Sequence, residues 1–412
     1  MSDNLNILFV SIAFPPKTDA ESLQASKVYK YLTKRSDIST TVVTTRNSSS
    51  VKAMFRVDVQ LNSSCIEIVN FKSKLFDAIK VRLIPELMLF PDIESRAIKG
   101  WKKAAQLIDK KPDVIISRSF PISSALIAQK LSKYFDVPWV AQMSDPWVLS
   151  SLPQKRYPKK WSKRKEREII QAADVLTYTS KITMNKYAKE YSGDAGKMVY
   201  VPNVYDPEHR SENVWLKKDK IRIVFTGTMP ESRSPKDFML AFRDFSEKSP
   251  DKAKDFSLEF AGQASREVRK ELSKFDDLLL YHGPVSFKES VALQRQADLL
   301  LLVDNKISDE FKINDEPYEF FPSKILDYIV AERPVLAITE KNSMSSSILD
   351  EFEIGASLEP HDRSGIIKEL ENVWASWSKN DEVFFHRKTS ADFFSAKYQV
   401  CRLVKIMRGL AR

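Results

Sequence analysis

Short apolar runs alternate with longer mixed stretches along the whole chain, and a turn-forming residue closes most of them. Asn6-Ile-Leu-Phe-Val-Ser-Ile-Ala13 stops at Phe14-Pro15-Pro16, the pattern of a strand buried on both faces that runs into a rigid turn. Thr18 and Glu21 stand at capping-box spacing, which predicts a helix from there to about Arg35. Thr40–Thr45 is the second strand, and strand, helix, strand in this order make a right-handed crossover unit. Helices are expected over Asp92–Ile108 and Ile122–Tyr134, and strands over Asp113–Ser117, Pro138–Met143, Ala173–Thr179 and Lys197–Val201. A polar link around Asp206–Lys220 opens a second series. Its strands are Ile221–Gly227, Ser257–Gly262, Leu278–Tyr281, Asp298–Asp304 and Pro334–Ile338, with a helix from about Pro235.

This alternation predicts an α/β protein of two doubly wound, Rossmann-like domains. The expected boundaries are 1–205 for the first and 206–384 for the second. The tail from about 385 to 412 ends in a basic helix expected to pack back on the first domain. Two such domains facing one another would bring both sets of strand ends to a central cleft.

One stretch of the second domain carries chemistry in its pattern. In Glu319-Phe-Phe-Pro-Ser-Lys-Ile-Leu-Asp327, Pro322 suits a first helical turn, and Ile325, Leu326 and Ile329 recur at helical spacing. Ser323 and Asp327 are four apart and share the other face. Free N–H groups at that helix start, with Lys324 beside them, suit a phosphate, and the two carboxylates could hold sugars on either side. An ordinary amphipathic helix with solvated charges fits the same residues.

Composition narrows the class. The 412 residues are 43% hydrophobic and 29% charged, as in a globular protein long enough for two cores. Cys65 and Cys401 have no metal-ligand spacing and suit a reducing cytoplasm. Neither a signal peptide nor an apolar run of membrane-spanning length is expected. The net charge of +10 gathers in Lys155–Arg167, which fits either an anionic membrane face or a solvated loop. No nucleic-acid-binding signature accompanies it. Phe71–Phe90, apolar with interspersed Lys and Arg, reads as a helix-rich insertion or as an amphipathic membrane-contacting segment.

Taken together in order, Phe14-Pro-Pro16, Phe90-Pro-Asp92, Pro112-Asp-Val-Ile115, Pro138-Trp-Val140 with Asp145-Pro-Trp147, Ala173-Asp-Val175 with Val201-Pro-Asn203, Phe225-Thr-Gly227 with Arg233-Ser-Pro235, and the Glu319 stretch with Pro334-Val335 form a series. The series resembles the nucleotide-sugar glycosyltransferases of family 4, which have the GT-B fold, and within them the bacterial enzymes of surface polysaccharide and glycolipid biosynthesis.

The resemblance implies roles. Arg233 would contact the donor diphosphate, whose oxygens match a guanidinium fork. Glu319 would meet the transferred sugar and Asp327 the ribose, with the amides near Ser323 and Lys324 on the diphosphate. The turn containing Gly283 and Val285 would hold the base. Asp145 would lie near the acceptor, or else cap the turn before Pro146. Departures accompany the match. Lys17-Thr-Asp-Ala20 replaces the glycines after the first strand, with Lys17 as a substitute charge, and Thr228 stands where a basic residue often follows Gly227, with Lys236 as its substitute. Asp327 stands in place of Glu.

The implied activity is transfer of a hexose-type sugar, with retention and without a metal or cofactor, from a UDP- or GDP-linked donor to a saccharide or lipid-linked acceptor. The implied setting is the cytoplasm, with peripheral attachment to the inner face of the membrane. A nucleotide-sugar 2-epimerase of the same fold and a non-catalytic scaffold are the alternatives.

Overall fold

The computed structural model describes residues 4–17, 19–45, 65–68, 91–92, 94–150, 159–210, 215–305, 319–385 and 391–411. Phe71–Phe90, Thr18 and residues 155–158 of the basic stretch lie outside them. The chain forms two compact units, one of Met1–Val204 with Phe394–Arg412, the other of Tyr205–Phe393.

The first unit contains β1 (Leu5–Val10), α1 (Ala20–Thr33), β2 (Ile38–Thr45), β3 (Cys65–Ile68), α2 (Trp101–Gln106), β4 (Val114–Ser119), α3 (Ser123–Phe135), β5 (Trp139–Met143), α4 (Lys159–Ala172), β6 (Val175–Tyr178), α5 (Lys181–Glu190) and β7 (Met198–Tyr200). Its seven parallel strands lie in the order β3-β2-β1-β4-β5-β6-β7. Every residue of β4 and β5 is buried, which explains why these strands carry no polar alternation. Alternate residues feed two apolar layers. Leu8, Val10 and Ile115 meet α3 and α5 on one face, while Ile7, Phe9 and Ile116 meet α1 on the other.

The second unit contains β8 (Ile221–Thr226), α6 (Lys236–Lys248), α7 (Pro250–Ala253), β9 (Phe256–Ala261), α8 (Arg266–Leu272), β10 (Leu279–Gly283), α9 (Phe287–Gln296), β11 (Leu299–Val303), α10 (Lys324–Ala331), β12 (Val335–Ile338), α11 (Met344–Phe352), β13 (Gly355–Leu358), α12 (Arg363–Ser378) and α13 (Glu382–Phe385). The six strands run β10-β9-β8-β11-β12-β13, all parallel. Both sheets therefore reverse direction of strand order between the first and fourth strand, at β1/β4 and β8/β11. In doubly wound sheets, ligands bind outside the carboxyl ends of the strands at such a point.

Several expectations shift. The helix after β1 is capped by Asp19, whose carboxylate accepts from the Ser22 N–H; the expected box rests on Thr18, outside the described residues. The span from Asp92 begins as a 3₁₀ turn, Ser95–Gly100, and becomes α-helical only at Trp101. The tail does not leave the second unit at 385, because Phe385 is buried there and stacks on Trp215 with ring centroids 4.4 Å apart. The return comes at Phe394. There α14 (Ala396–Leu410) sets Val400, Leu403, Val404 and Met407 against Val28 and Leu32 of α1. The basic stretch, from Lys159 onward, is a helix and not a loop. Among the described residues, no helix is long and apolar enough to cross a membrane.

Candidate functional site

The second unit's reversal point is built from the ends of β8 and β11 and the start of α10. β8 ends at Thr226, and Gly227 follows with φ +125°, a conformation that side-chain-bearing residues avoid. A Cβ on Gly227 would lie 2.5 Å from both Cε and Nζ of Lys324. The missing side chain is thus the space through which Lys324 passes. Gly262, after β9, is needed for the same turn, since a Cβ there would sit 1.9 Å from the Gly227 carbonyl oxygen.

α10 is fixed beneath this turn by Tyr328, whose hydroxyl donates to the Leu301 carbonyl (3.0 Å) and accepts from the Thr226 N–H (3.2 Å). Ile325, Leu326 and Ile329 are buried, as their spacing predicts. The helix opens at Lys324, two residues later than Pro322 suggests. Ile325 and Leu326 donate to the carbonyls of Pro322 and Ser323, so the amides of Ser323 and Lys324 stand ahead of the first helical bonds. Ser323 is exposed at that terminus and makes no side-chain cap.

Lys324 keeps some exposure as a residue, but its ammonium is out of solvent and has no hydrogen-bond partner among the described residues. It lies 3.9 Å from the centroid of the Phe225 ring. Burial, with the positive charge of Arg233 beside it, brings its pKa down to about 7. Arg233, on the short turn Glu231–Arg233, has a buried Nε that is likewise without a partner. Ser232 ties that turn to the end of β11 through Asn305 at 3.1 Å. Asp327 and Asp304 supply the opposing charge. Asp304 is buried at the end of β11, where it accepts from Thr339 Oγ1 (2.7 Å) and from Ser345 Oγ, and burial pushes its carboxyl up. Two cations with unsatisfied donors at a helix N-terminus make a site for an anion.

Of the residues expected to act here, Gly227, Arg233, Lys324 and Asp327 are brought together, with Ser323 at the helix start. Glu319 precedes the helix and is only 1% exposed. Lys236, expected as the substitute for a basic residue after Gly227, pairs its ammonium with Glu271 at 3.3 Å. Gly283 has φ +69° and lies at the end of β10, at the sheet's edge, with the half-buried Val285 beyond it. Its carbonyl accepts from the Gly262 N–H at 2.7 Å, which links the two turns. His282 is held by Glu259 at 3.0 Å, a structural pairing shared with Arg222.

The first unit has a polar constellation at its own reversal point. Arg118, 1% exposed at the end of β4, donates from Nε to Glu21 (3.1 Å) and from Nη2 to Asn203 Oδ1 (2.6 Å). Burial pushes the Glu21 carboxyl up to about 7, opposed by Arg118 and reinforced by Asp145. Asp145 is half-buried after β5 and so faces this group. The segment that carries it is clamped from below. Glu166 of α4, wholly buried, accepts from Val148 N (2.9 Å), Tyr187 OH (2.5 Å) and Tyr191 OH (2.8 Å), and Tyr187 accepts from Trp147 N (2.9 Å). Lys17, expected as a substitute charge, is instead structural, donating to Ile12 O and Thr45 Oγ1 and pairing with Glu94. Sequence reasoning missed Arg118, Glu21 as an ionisable group, and Asp304. A lone charge at the end of an otherwise buried strand was the available signal for Arg118 and Asp304.

The architecture has close counterparts among solved structures. The Candida albicans trehalose-6-phosphate phosphatase N-terminal domain superposes with a TM-score of 0.67 at 12% identity, covering 99% of this chain and 97% of that one. A glycosyltransferase from Rickettsia africae gives 0.65 at 13% identity over 100% and 99%. The UDP-GlcNAc 2-epimerase from Neisseria meningitidis, solved bound to UDP-GlcNAc, gives 0.54 at 13% over 98% and 100%. The fold is GT-B. Within it, residues 66–209 match the family model described as Glycosyltransferase Family 4. No curated protein sequence matches the chain. At these identities the structural likeness establishes the GT-B architecture, and the matched segment falls in the first unit but for its last five residues, 205–209.

Proposed function

We propose that the protein transfers a sugar from a nucleoside diphosphate sugar to a saccharide or lipid-linked acceptor. The observation that carries this reading is a pair of buried nitrogens, Lys324 Nζ and Arg233 Nε, without a hydrogen-bond partner among the described residues, at the β8/β11 reversal point beside a helix N-terminus. The family 4 match over residues 66–209 and a GT-B neighbour solved with a UDP-sugar support it. Arg233, Lys324 and the dipole of α10 stabilise the charge that develops on the departing diphosphate, which is electrostatic catalysis. Asp327 takes the ribose hydroxyls and Glu319 the transferred sugar. Retention, a hexose donor and independence from metal follow the family resemblance, as does a place in cell-surface polysaccharide or glycolipid biosynthesis. The basic face of α4, with Lys160, Lys163, Arg164 and Arg167, fits peripheral attachment to an anionic membrane on its cytoplasmic side.

Incubation with labelled UDP- and GDP-sugars and candidate acceptors tests this. Arg233→Ala and Glu319→Gln should abolish turnover while the fold is retained. Unchanged turnover in both would refute the site assignment. Omitting the acceptor separates an epimerase, which converts the donor by itself, from a transferase.

A further inference from the structure

A charged ammonium inside a protein needs acceptors within hydrogen-bond reach. Lys324 Nζ has none among the described residues. It faces the Phe225 ring at 3.9 Å, in the space that Gly227 leaves open. Arg233 bears on it as a like charge. The opposing charges come from Asp327, on the same helix, and Asp304, at the end of β11. The Asp304 carboxylate already receives two hydroxyls, from Thr339 and Ser345. Burial and Arg233 outweigh the two carboxylates, so Lys324 Nζ holds its proton less firmly than a lysine in water. An anion in the site reverses the balance, since it supplies the missing acceptor and offsets both cations at once.

We infer that a diphosphate enters this site together with a proton, which Lys324 Nζ takes up from solvent. The inference rests on the nucleotide-sugar reading of the site. The balance is simple: a neutral amine, one solvent proton and a sugar diphosphate give an ammonium paired with phosphate oxygen, and no other bond changes. Burial and Arg233 bring the ammonium of the free protein down to about 7. Above that pH the proton must be acquired on binding, so affinity falls by up to about tenfold per pH unit.

Calorimetry of the full chain at pH 8 in two buffers of different ionisation enthalpy reads the proton directly. UDP-glucose and GDP-mannose are suitable probes, because a diphosphate esterified at both ends has no exchangeable proton near that pH, unlike a terminal phosphate with its pKa of about 6. The expected result is uptake approaching one proton per bound nucleotide sugar, with weaker binding as the pH is raised from 7 to 9. Lys324→Met should lose the uptake and bind more weakly. The buffer dependence of the parent protein stands without the variant, should the variant fold poorly. Tight binding with no buffer dependence, or uptake undiminished in Lys324→Met, overturns the coupling and leaves the nucleotide-sugar reading intact. Failure of both probes to bind anywhere between pH 6 and pH 9 overturns that reading, and the inference with it.

Discussion

Lys324 reaches its position through the absence of a side chain at Gly227, where a single Cβ would come within 2.5 Å of its Cε and Nζ. Gly227→Ala should therefore act twice. It forces φ +125° on a residue that resists it, a strain of about 1–3 kcal/mol. It also pushes the amine off the Phe225 ring. Nucleotide-sugar affinity should fall at least tenfold, read by calorimetry, together with a lowered melting temperature. An alanine variant that binds as tightly as the parent would show that Lys324 does not need this path.

The buried amine also weakens the fold in a pH-dependent way. Its folded-state pKa of about 7 lies below the ordinary lysine value of 10.5, so the unfolded chain holds the proton more firmly between those values. The destabilisation is fully present below pH 7 and is relieved as pH rises toward 10.5. Lys324→Met, of similar length and neutral, should melt higher than the parent at pH 6, with the gap closing by pH 10. A gap that widens with pH would contradict the sign.

Glu21 has the opposite charge and the opposite trend. Its folded pKa, pushed up to about 7 from 4.5, makes the folded state the better proton binder between those values. The stabilisation it provides is complete below pH 4.5 and lost as pH rises through 7. Glu21→Gln, which imitates the protonated form beside Arg118, should gain on the parent in chemical denaturation as pH is raised from 5 to 8. Parallel pH profiles for the two proteins would remove Glu21 from this role.

The clamp under Asp145 can be tested through Tyr187. Tyr187→Phe deletes the acceptor of Trp147 N–H and one donor to the buried Glu166. Leaving such groups unsatisfied costs about 1–3 kcal/mol. Hydrogen exchange should quicken at Trp147 and Val148, while amides of β8 to β13 keep their parent rates. Uniform loss of protection in both units would indicate a general rather than a local effect.

Most of the sheet architecture was legible in the pattern, because parallel strands buried on both faces leave uninterrupted apolar runs such as Leu299–Val303. Strands β3 and β13 escaped it. The one reads Cys-Ile-Glu-Ile and the other Gly-Ala-Ser-Leu, and both are sheet edges that need less apolar surface. Around the candidate site, Gly227, Arg233 and Lys324 could be singled out because ordered motifs carried them. The pairing of Lys236 with Glu271 is seen only in the fold, because the two residues lie far apart in sequence. Arg118 with Glu21 and Asn203, and Asp304 with Thr339 and Ser345, are partnerships between residues distant in sequence. Spacing along one strand or helix does not encode them.

The return of α14 to the first unit sets an order of assembly. During synthesis, Tyr205–Phe393 is available in full while the sheet that began forming with β1 still lacks the helix that lies against α1. The later-made unit can thus complete its core before the earlier-made one. A stop codon within Ala396–Leu410 would strip apolar cover from Val28 and Leu32 of α1. The unit most sensitive to a break in Ala396–Leu410 is the one whose sheet contains β1, not the one that precedes this helix along the chain.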